Sequence, residues 1–161
     1  MFTKFNRTNY PPTEKPMMVW DGECGFCKYW VTRWKMYTGD RITYKTYQEV
    51  ASQFKDIPLK EFKKASRLIE PNGSVYSGPD SAYRSFAYSE EKHWPWHDWY
   101  ERFPVFTKLS DHSYNFIAKH RSFFYKLTVF CFGKDPKNSR PYWLYYVLLI
   151  LAILCVLWIV L

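Results

Sequence analysis

The stretch MMVWDGECGFCKYWVTRWKMYT, residues 17–38, decides the fold. Its first four residues, Met17–Trp20, form a short apolar run, which is typical of a buried strand. From Gly25 to Thr38 the apolar side chains recur at steps of three and four, the spacing of an amphipathic helix. Gly39 ends this pattern as a glycine commonly ends a helix. We therefore predict a strand, a short turn and a helix.

Further elements follow this unit along the chain. Asn72-Gly73 between two strand-like runs is a strong β-hairpin signal. The predicted order is strand, helix, strand, short helix, two hairpin strands and a helix. This order predicts an α/β fold of the thioredoxin-like kind, a mixed sheet with flanking helices. The predicted ranges after the first helix are strand 41–47, helix 58–64, strands 66–70 and 74–77, and helix 81–88.

Cys24 and Cys27 lie at the start of the first predicted helix. The free backbone N–H groups and the dipole of a helix N-terminus stabilise a thiolate, so they lower the pKa of Cys24 below the free value of about 8.5. We predict that Cys24 attacks a substrate disulfide and that Cys27, one turn inside the helix, resolves the mixed disulfide. Asp21 and Glu23 oppose the thiolate by repulsion. Asp21 is alternatively a proton acceptor for Cys27.

Three other interpretations of the cysteine pair have to be weighed. Haem attachment requires a histidine directly after the second cysteine, where Lys28 stands. A zinc site requires four ligands, and His93 and His97 have a suitable mutual spacing but lie far from Cys27 in the sequence. An inert pair of core cysteines is the third interpretation. We predict a redox pair, with no metal and no cofactor.

The stretch VWDGECGFCKYWVTRWK resembles the DCC family of predicted thiol-disulfide oxidoreductases, whose Asp-x-x-Cys-x-x-Cys motif corresponds to Asp21, Cys24 and Cys27. PNGSVYSGPDSAYRSF is similar to a second family segment, with Asn72 in place of the usual Asp, and YNFIAKHR is similar to a third. The resemblance covers roughly residues 17–125 and implies a thioredoxin-like fold and thiol-disulfide exchange at the motif residues. The matching residues of the later segments are Gly73, Val75, Tyr76, Gly78 and Ala82, then Tyr114, Ala118 and Arg121.

One feature of thioredoxin-type enzymes has no counterpart in the sequence. Those enzymes carry a cis-proline just before the strand that follows the crossover, where it holds an incoming peptide by backbone hydrogen bonds. Residues 63–66, Lys-Lys-Ala-Ser, occupy that place. This departure argues against general protein disulfides as substrates.

Residues 142–161, YWLYYVLLILAILCVLWIVL, contain no charge, Gly or Pro. A helix of that length is roughly 30 Å long, the thickness of a bilayer's hydrocarbon core, so we predict a C-terminal transmembrane helix rather than a core helix. Lys134, Lys137 and Arg140 precede it, and by the positive-inside rule they keep the domain in the cytoplasm. The N-terminus does not read as a signal peptide. The predicted localisation is a single-pass tail anchor, with the lipid bilayer as a partner.

The net charge of +8 comes from 23 Lys and Arg against 15 Asp and Glu, and it is spread along the chain. This spread disfavours nucleic acid as a partner. On a helix predicted over 115–133, Lys119, Arg121 and Lys126 either lie on anionic headgroups or are simply solvated. The predicted divisions are an extended lead-in over 1–16, a thioredoxin-like domain over 17–113, an amphipathic helix and basic neck over 114–140, and the transmembrane anchor over 141–161.

Two functions from different classes fit this sequence. The first is a membrane-anchored thiol-disulfide oxidoreductase that exchanges disulfides with a membrane protein or a small disulfide. The second is a non-catalytic thioredoxin-like accessory subunit of a membrane protein complex. Aromatic residues make up 22% of the chain, and Trp and Tyr are frequent interface anchors, which favours the second function. Alternatively, most of these aromatic residues fill the core and line the bilayer interface. The reactivity of Cys24 separates the two.

Overall fold

The fold is a mixed α/β arrangement, seen in a computed structural model that describes residues 1–160 apart from the side chains of residues 156, 157, 159 and 160. Short 3₁₀ turns extend several of the helices. The strands of this part of the chain are β1 (Met17–Trp20), β2 (Thr43–Thr46), β3 (Arg67–Ile69) and β4 (Val75–Ser77). Its helices are α1 (Gly25–Thr38), α2 (Tyr47–Val50), α3 (Leu59–Lys64), α4 (Pro79–Ser85), α5 (Trp96–Arg102), α6 (Pro104–Lys119), α7 (Arg121–Phe132) and α8 (Tyr142–Val160).

The four strands form one sheet in the order β2-β1-β3-β4. β1 and β2 are parallel, with Met18 beside Tyr44, so α1 is the crossover between them. β3 runs antiparallel to β1 and forms a hairpin with β4, in which Leu68 pairs with Tyr76. The predicted strand–helix–strand unit and the later hairpin are both present. A mixed four-stranded sheet with helices against it fits the thioredoxin-like arrangement.

The two faces of the sheet are packed differently. Because successive strand residues point to opposite faces, Val19 and Ile69 lie on one face and Met18 and Leu68 on the other. The first face, called here the packed face, buries Val19, Val50, Phe54, Ile57, Phe62, Ile69 and Val75. The second, called here the cavity face, buries Met18, Ile42 and Leu68, with Trp34, Tyr44, Tyr76 and Tyr88 partly buried against them.

A buried ion pair fixes the N-terminal segment to the packed face. Arg67 on β3 is fully buried, and its guanidinium lies 3.6 Å from the Glu61 carboxylate. The same guanidinium donates to Ser77 Oγ at 2.5 Å and to the carbonyl of Thr3 at 3.1 Å, while the N–H of Thr3 donates to Glu61 at 2.8 Å. Burial lowers the pKa of Arg67 to about 10, against the opposing effect of Glu61.

The helix predicted over 115–133 is in fact two helices. The backbone of His120 leaves helical geometry, with φ −117° and ψ 33°, so α6 ends at Lys119 and α7 begins at Arg121. Apolar side chains recur on both sides of this break, and neither Pro nor Gly marks it. The break sets Arg121 at the first turn of a new helix, facing the turn that follows β1. The helix α5 was not predicted from the sequence.

The prediction of a C-terminal transmembrane helix is wrong: within residues 1–160, no helix is long and apolar enough to cross a membrane. Leu161, the last residue of the predicted span, lies outside the described residues. The predicted localisation, a single-pass anchor with the domain facing the cytoplasm, is therefore wrong as well.

Candidate active site

Cys24 and Cys27 form a disulfide at the start of α1, with their Cα atoms 5.2 Å apart. Cys24 is the residue that caps the helix, and its Sγ accepts a hydrogen bond from the backbone N–H of Cys27 at 3.1 Å. The sulfur of Cys24 therefore occupies the acceptor position that a Ser or Asp side chain usually fills at a helix N-terminus. Both cysteines are half-buried. Their catalytic roles remain a prediction.

The turn between β1 and α1 is held close to the end of β2. A Cβ atom on Gly22 would lie 2.6 Å from Cγ2 of Thr46, so a larger residue at this position requires the turn or Thr46 to move. The N–H of Gly22 donates to Oε1 of Gln48 at 3.2 Å. The N–H of Cys24 donates to the carbonyl of Asp21 at 3.3 Å, which closes the turn. These contacts fix where the first cysteine enters the helix.

Asp21, the acidic residue of the predicted site, is paired with Arg121. The guanidinium donates to Oδ2 of Asp21 at 2.9 Å, and the two side chains are 22% and 19% exposed. The other carboxylate oxygen accepts from Gln48 Nε2 and from the N–H of Glu23, each at 3.2 Å. The carboxylate of Asp21 is thus held from three sides beside the cysteine turn.

Arg121 also joins the cysteine turn to the segment before β3. It donates to the carbonyls of Lys63 and Lys64, each at 3.2 Å. The N–H of Ser66, two residues further on, donates to the hydroxyl of Tyr114 at 3.0 Å. Two residues of the third resembling segment, Tyr114 and Arg121, therefore hold the stretch that precedes β3, where thioredoxin-type enzymes carry the cis-proline.

A cavity of about 510 Å³ lies between α1 on one side and α4 and α6 on the other, where Trp34 of the cavity face and also Phe62 of the packed face line it. Cys27 is part of its wall, whereas Cys24 is not among the lining residues. Most of the lining is aliphatic or aromatic. The apolar and aromatic lining residues are Trp20, Phe26, Trp30, Val31, Trp34, Phe62, Ala65, Pro79, Ala82, Tyr83, Phe106, Leu109, Tyr114, Ile117 and Ala118.

The two histidines considered for zinc have separate partners. His93 lies 2.9 Å from Ser89 Oγ, and Nδ1 of His97 lies 2.7 Å from the Asp80 carboxylate. The hydrogen bond with Asp80 raises the pKa of His97, against the opposing effect of burial. Across residues 1–160, no group of three or more His, Cys, Asp or Glu side chains is arranged to hold a metal ion.

The sequence predicted the cysteine turn but not the contacts that hold it. Arg121 was named as a matching residue of the third family segment and as a headgroup-binding or solvated cation, but its pairing with Asp21, 100 positions away, leaves no local signal. The part of the cavity wall that lies on α1 did have a local sequence signal. Cys27, Val31 and Trp34 follow the i, i+4, i+7 spacing of one helix face, which places the second cysteine on an apolar surface.

Comparison with known proteins agrees with this geometry. A family model described as DCC1-like thiol-disulfide oxidoreductase matches residues 18–127, more than half of the chain. The matched range contains the cysteine pair and also Tyr114 and Arg121, which hold the segment before β3. The chain has no significant match to a curated protein or to a solved structure.

Proposed function

The chain belongs to the DCC1-like thiol-disulfide oxidoreductase family, and on this premise we propose that it performs dithiol–disulfide exchange, with Cys24 as the attacking thiolate and Cys27 as the resolving thiol. The observation that carries the proposal is the position of Cys24 as the capping residue of α1, at disulfide distance from Cys27. At that position the N–H of Cys27 points to the Cys24 sulfur, and the dipole of α1 favours a negative charge.

The exchange balances as two successive attacks. The thiolate of Cys24 attacks one sulfur of the substrate disulfide, forms a mixed disulfide and releases the other half as a thiolate. Cys27 then attacks the Cys24 sulfur, which forms the Cys24–Cys27 disulfide and releases the second thiolate. The substrate gains two electrons and the cysteine pair loses two. The protons of the two cysteine thiols end on the two released thiolates.

Asp21 is the proposed acceptor of the Cys27 proton. Asp21 and Cys27 are both lining residues of the same cavity. Arg121, Gln48 and the backbone of Glu23 hold the carboxylate in place, which favours a fixed proton acceptor over a mobile surface charge. Asp21→Asn is expected to slow the second attack and to leave the first unchanged.

The test is to trap the mixed disulfide. Reduced Cys27→Ser is incubated with 2-hydroxyethyl disulfide and analysed by intact-mass and peptide mass spectrometry. We expect a stable adduct of one mercaptoethanol group on Cys24, while the reduced wild type releases two equivalents of mercaptoethanol and ends with the Cys24–Cys27 disulfide. Cys24→Ser is the matched control and is expected to form the adduct far more slowly. Equal modification of Cys24 and Cys131 in Cys27→Ser would contradict the proposal.

Exposed apolar side chains on α6 and α7 favour a second candidate, a non-catalytic subunit of a protein complex. Val105 is 80% exposed, and Phe116, Phe123 and Phe130 are each more than half exposed. Large exposed apolar side chains commonly mark a protein interface. A subunit needs no reactive thiol, so a folded Cys27→Ser variant that forms no mixed disulfide would favour this candidate.

A further inference from the structure

The cavity beside Cys27 is large enough for a small-molecule ligand. Its volume of about 510 Å³ falls within the range of about 300–1,000 Å³ that is typical of ligand pockets. Three indole rings, those of Trp20, Trp30 and Trp34, form part of its wall. Such a surface binds flat, apolar molecules, because aromatic rings prefer stacked or edge-on contact with other rings.

The charges of the wall favour an uncharged ligand. Asp21 and Arg121 are the charged residues that line the cavity, and they neutralise each other at 2.9 Å. A charged peptide such as glutathione would therefore find no unpaired cation among the lining residues for its carboxylates. Burying an unpaired carboxylate in such a space is strongly unfavourable, so the cavity disfavours a charged ligand.

Polar groups at the wall favour a ligand with carbonyl oxygens over a plain hydrocarbon. The indole N–H groups of Trp20 and Trp30 are buried without a hydrogen-bond acceptor in the described part of the chain. A buried donor without an acceptor destabilises the fold, so a ligand oxygen that reaches either N–H would stabilise the bound state. Tyr114 also lines the cavity, and its hydroxyl, which accepts from the N–H of Ser66 at 3.0 Å, has an O–H to donate.

We propose that this cavity binds a lipophilic quinone, and that the quinone is the two-electron acceptor that oxidises the reduced cysteine pair. The inference rests on the proposed function and names the partner of the same site. Its distinctive element is Cys27, because a ligand in the cavity meets the resolving cysteine, whereas a substrate disulfide is attacked by Cys24. The exchange with a disulfide and the reaction with a quinone therefore use different sulfurs of one pair.

The oxidation balances with a quinone as the named oxidant. The thiolate of Cys27 donates its electron pair to a ring carbon and forms a C–S bond. The thiolate of Cys24 then attacks the Cys27 sulfur, which forms the disulfide and breaks the C–S bond, with its electron pair left on the ring. The two protons of the thiols complete the hydroquinone. The ring gains two electrons, and the cysteine pair loses two.

Decylubiquinone is the probe for the test, because its ring is fully substituted and its tail is short. The full-length protein, reduced and freed of reductant, is titrated with decylubiquinone while tryptophan fluorescence is followed. We expect saturable quenching, since three of the cavity residues are tryptophans. We also expect one quinone to be reduced for each Cys24–Cys27 disulfide that forms, measured by quinone absorbance and by mass spectrometry.

Cavity-filling variants localise the binding. Ala118→Phe on α6 and Ala82→Leu on α4 place added atoms inside the cavity, and each is expected to raise the Kd of decylubiquinone at least about tenfold. Ala87→Phe is the matched control, because Ala87 is exposed and lies outside the lining. Circular dichroism and cooperative melting identify the folded variants, and having two positions keeps the test valid if one variant fails to fold.

Several outcomes would overturn the inference. The first two are the absence of saturable quenching and quenching without disulfide formation. The third is equal binding of the quinone by Ala87→Phe and by both cavity-filling variants. The fourth is displacement of the quinone by an equal concentration of 1-decanol, which would indicate a site for hydrocarbon chains. The mixed-disulfide trap with Cys27→Ser contains no quinone. If the quinone experiment fails and the mixed disulfide is still trapped, only the quinone as partner is overturned. If no mixed disulfide is trapped, the proposed function is overturned.

Discussion

The two faces of the sheet use similar residue types for opposite purposes. On the packed face, Val19, Phe54 and Ile69 are almost completely buried, and the fully buried Arg67 ties the N-terminal segment down. On the cavity face, a smaller buried cluster lies beside a cavity of about 510 Å³ lined by aromatic side chains. The hydrophobic residues of the packed face fill their core, whereas those of the cavity face enclose an open space.

This difference separates the stability of the fold from its chemistry. Filling a void with well-packed side chains increases stability, so a fold that keeps an open apolar cavity is less stable than one that fills it. The cysteine pair lies at the edge of the open side, since Cys27 lines the cavity. We therefore expect substitutions on the packed face to act on folding, and substitutions on the cavity face to act on binding and exchange. The following predictions test that division.

The largest expected effect is on the packed face. Phe54 is 2% exposed, and Phe54→Ala is expected to lower the free energy of unfolding by about 3–5 kcal/mol, because it leaves a cavity in a filled core. Leu109→Ala, in the cavity wall at 63% exposure, is the matched control and is expected to change it by less than about 1 kcal/mol. Urea unfolding followed by circular dichroism measures both. Equal losses of stability in the two variants would contradict the difference between the two faces.

The buried ion pair of the packed face comes next. Arg67→Met is expected to lower the free energy of unfolding by about 3 kcal/mol, because Glu61 keeps its buried charge and loses one of its two cationic partners, while Lys64 still pairs with it at 2.7 Å. Adding Glu61→Gln to Arg67→Met removes the remaining buried charge, which only Lys64 then pairs, and is expected to restore part of the loss. Urea unfolding of the single and double variants gives the coupling. A double variant less stable than Arg67→Met alone would contradict this account.

A smaller effect is expected at the edge of the cavity face. Arg121→Met removes the ion pair with Asp21 and the bonds to the carbonyls of Lys63 and Lys64, so it is expected to lower the free energy of unfolding by about 1–2 kcal/mol. It is also expected to slow the resolution step, because Asp21 is no longer held. Lys119→Met replaces an exposed cation nearby and serves as the control. An equal effect of both changes on the resolution rate would argue against a positioning role.

The smallest expected effect is the pH dependence of stability contributed by His97, which lies beside the cavity face. The hydrogen bond with Asp80 raises the pKa of His97 above its ordinary value of 6.5, helped by Glu101 and opposed by burial and by Arg84. A raised folded-state pKa contributes stability that is fully present below the unfolded value and is lost as the pH rises through the folded value. We expect this contribution to the free energy of unfolding to be less than about 1 kcal/mol, measured by thermal unfolding between about pH 5.5 and pH 8.5. His97→Gln is expected to flatten this dependence, and an unchanged slope would contradict it.

Local sequence signals predicted the catalytic unit of the fold well. The apolar run of β1 and the helical spacing that ends at Gly39 placed the strand, the cysteine turn and α1 at their observed bounds. The Asn72-Gly73 turn likewise predicted the hairpin of β3 and β4. These elements are recognisable because their signals lie within a few residues of one another.

The remaining features depend on contacts between distant residues. The pairing of Asp21 with Arg121 and the break at His120 follow from how α7 meets the cysteine turn, and neither has a local sequence mark. The cavity arises from how α1, α4 and α6 are spaced over the sheet, which side-chain periodicity does not encode. The error at the C-terminus came from treating an apolar run alone as sufficient evidence for a membrane span.

The alkylation rate of Cys24 tests the central claim most directly. Reduced wild-type protein at neutral pH is treated briefly with iodoacetamide, and peptide mass spectrometry follows each cysteine. Cys155 is exposed, whereas Cys24 is half-buried, so access alone favours Cys155. We predict that Cys24 nevertheless reacts at least about ten times faster, because the start of α1 stabilises its thiolate. Labelling of Cys24 at the rate of Cys155, or more slowly, would contradict the account.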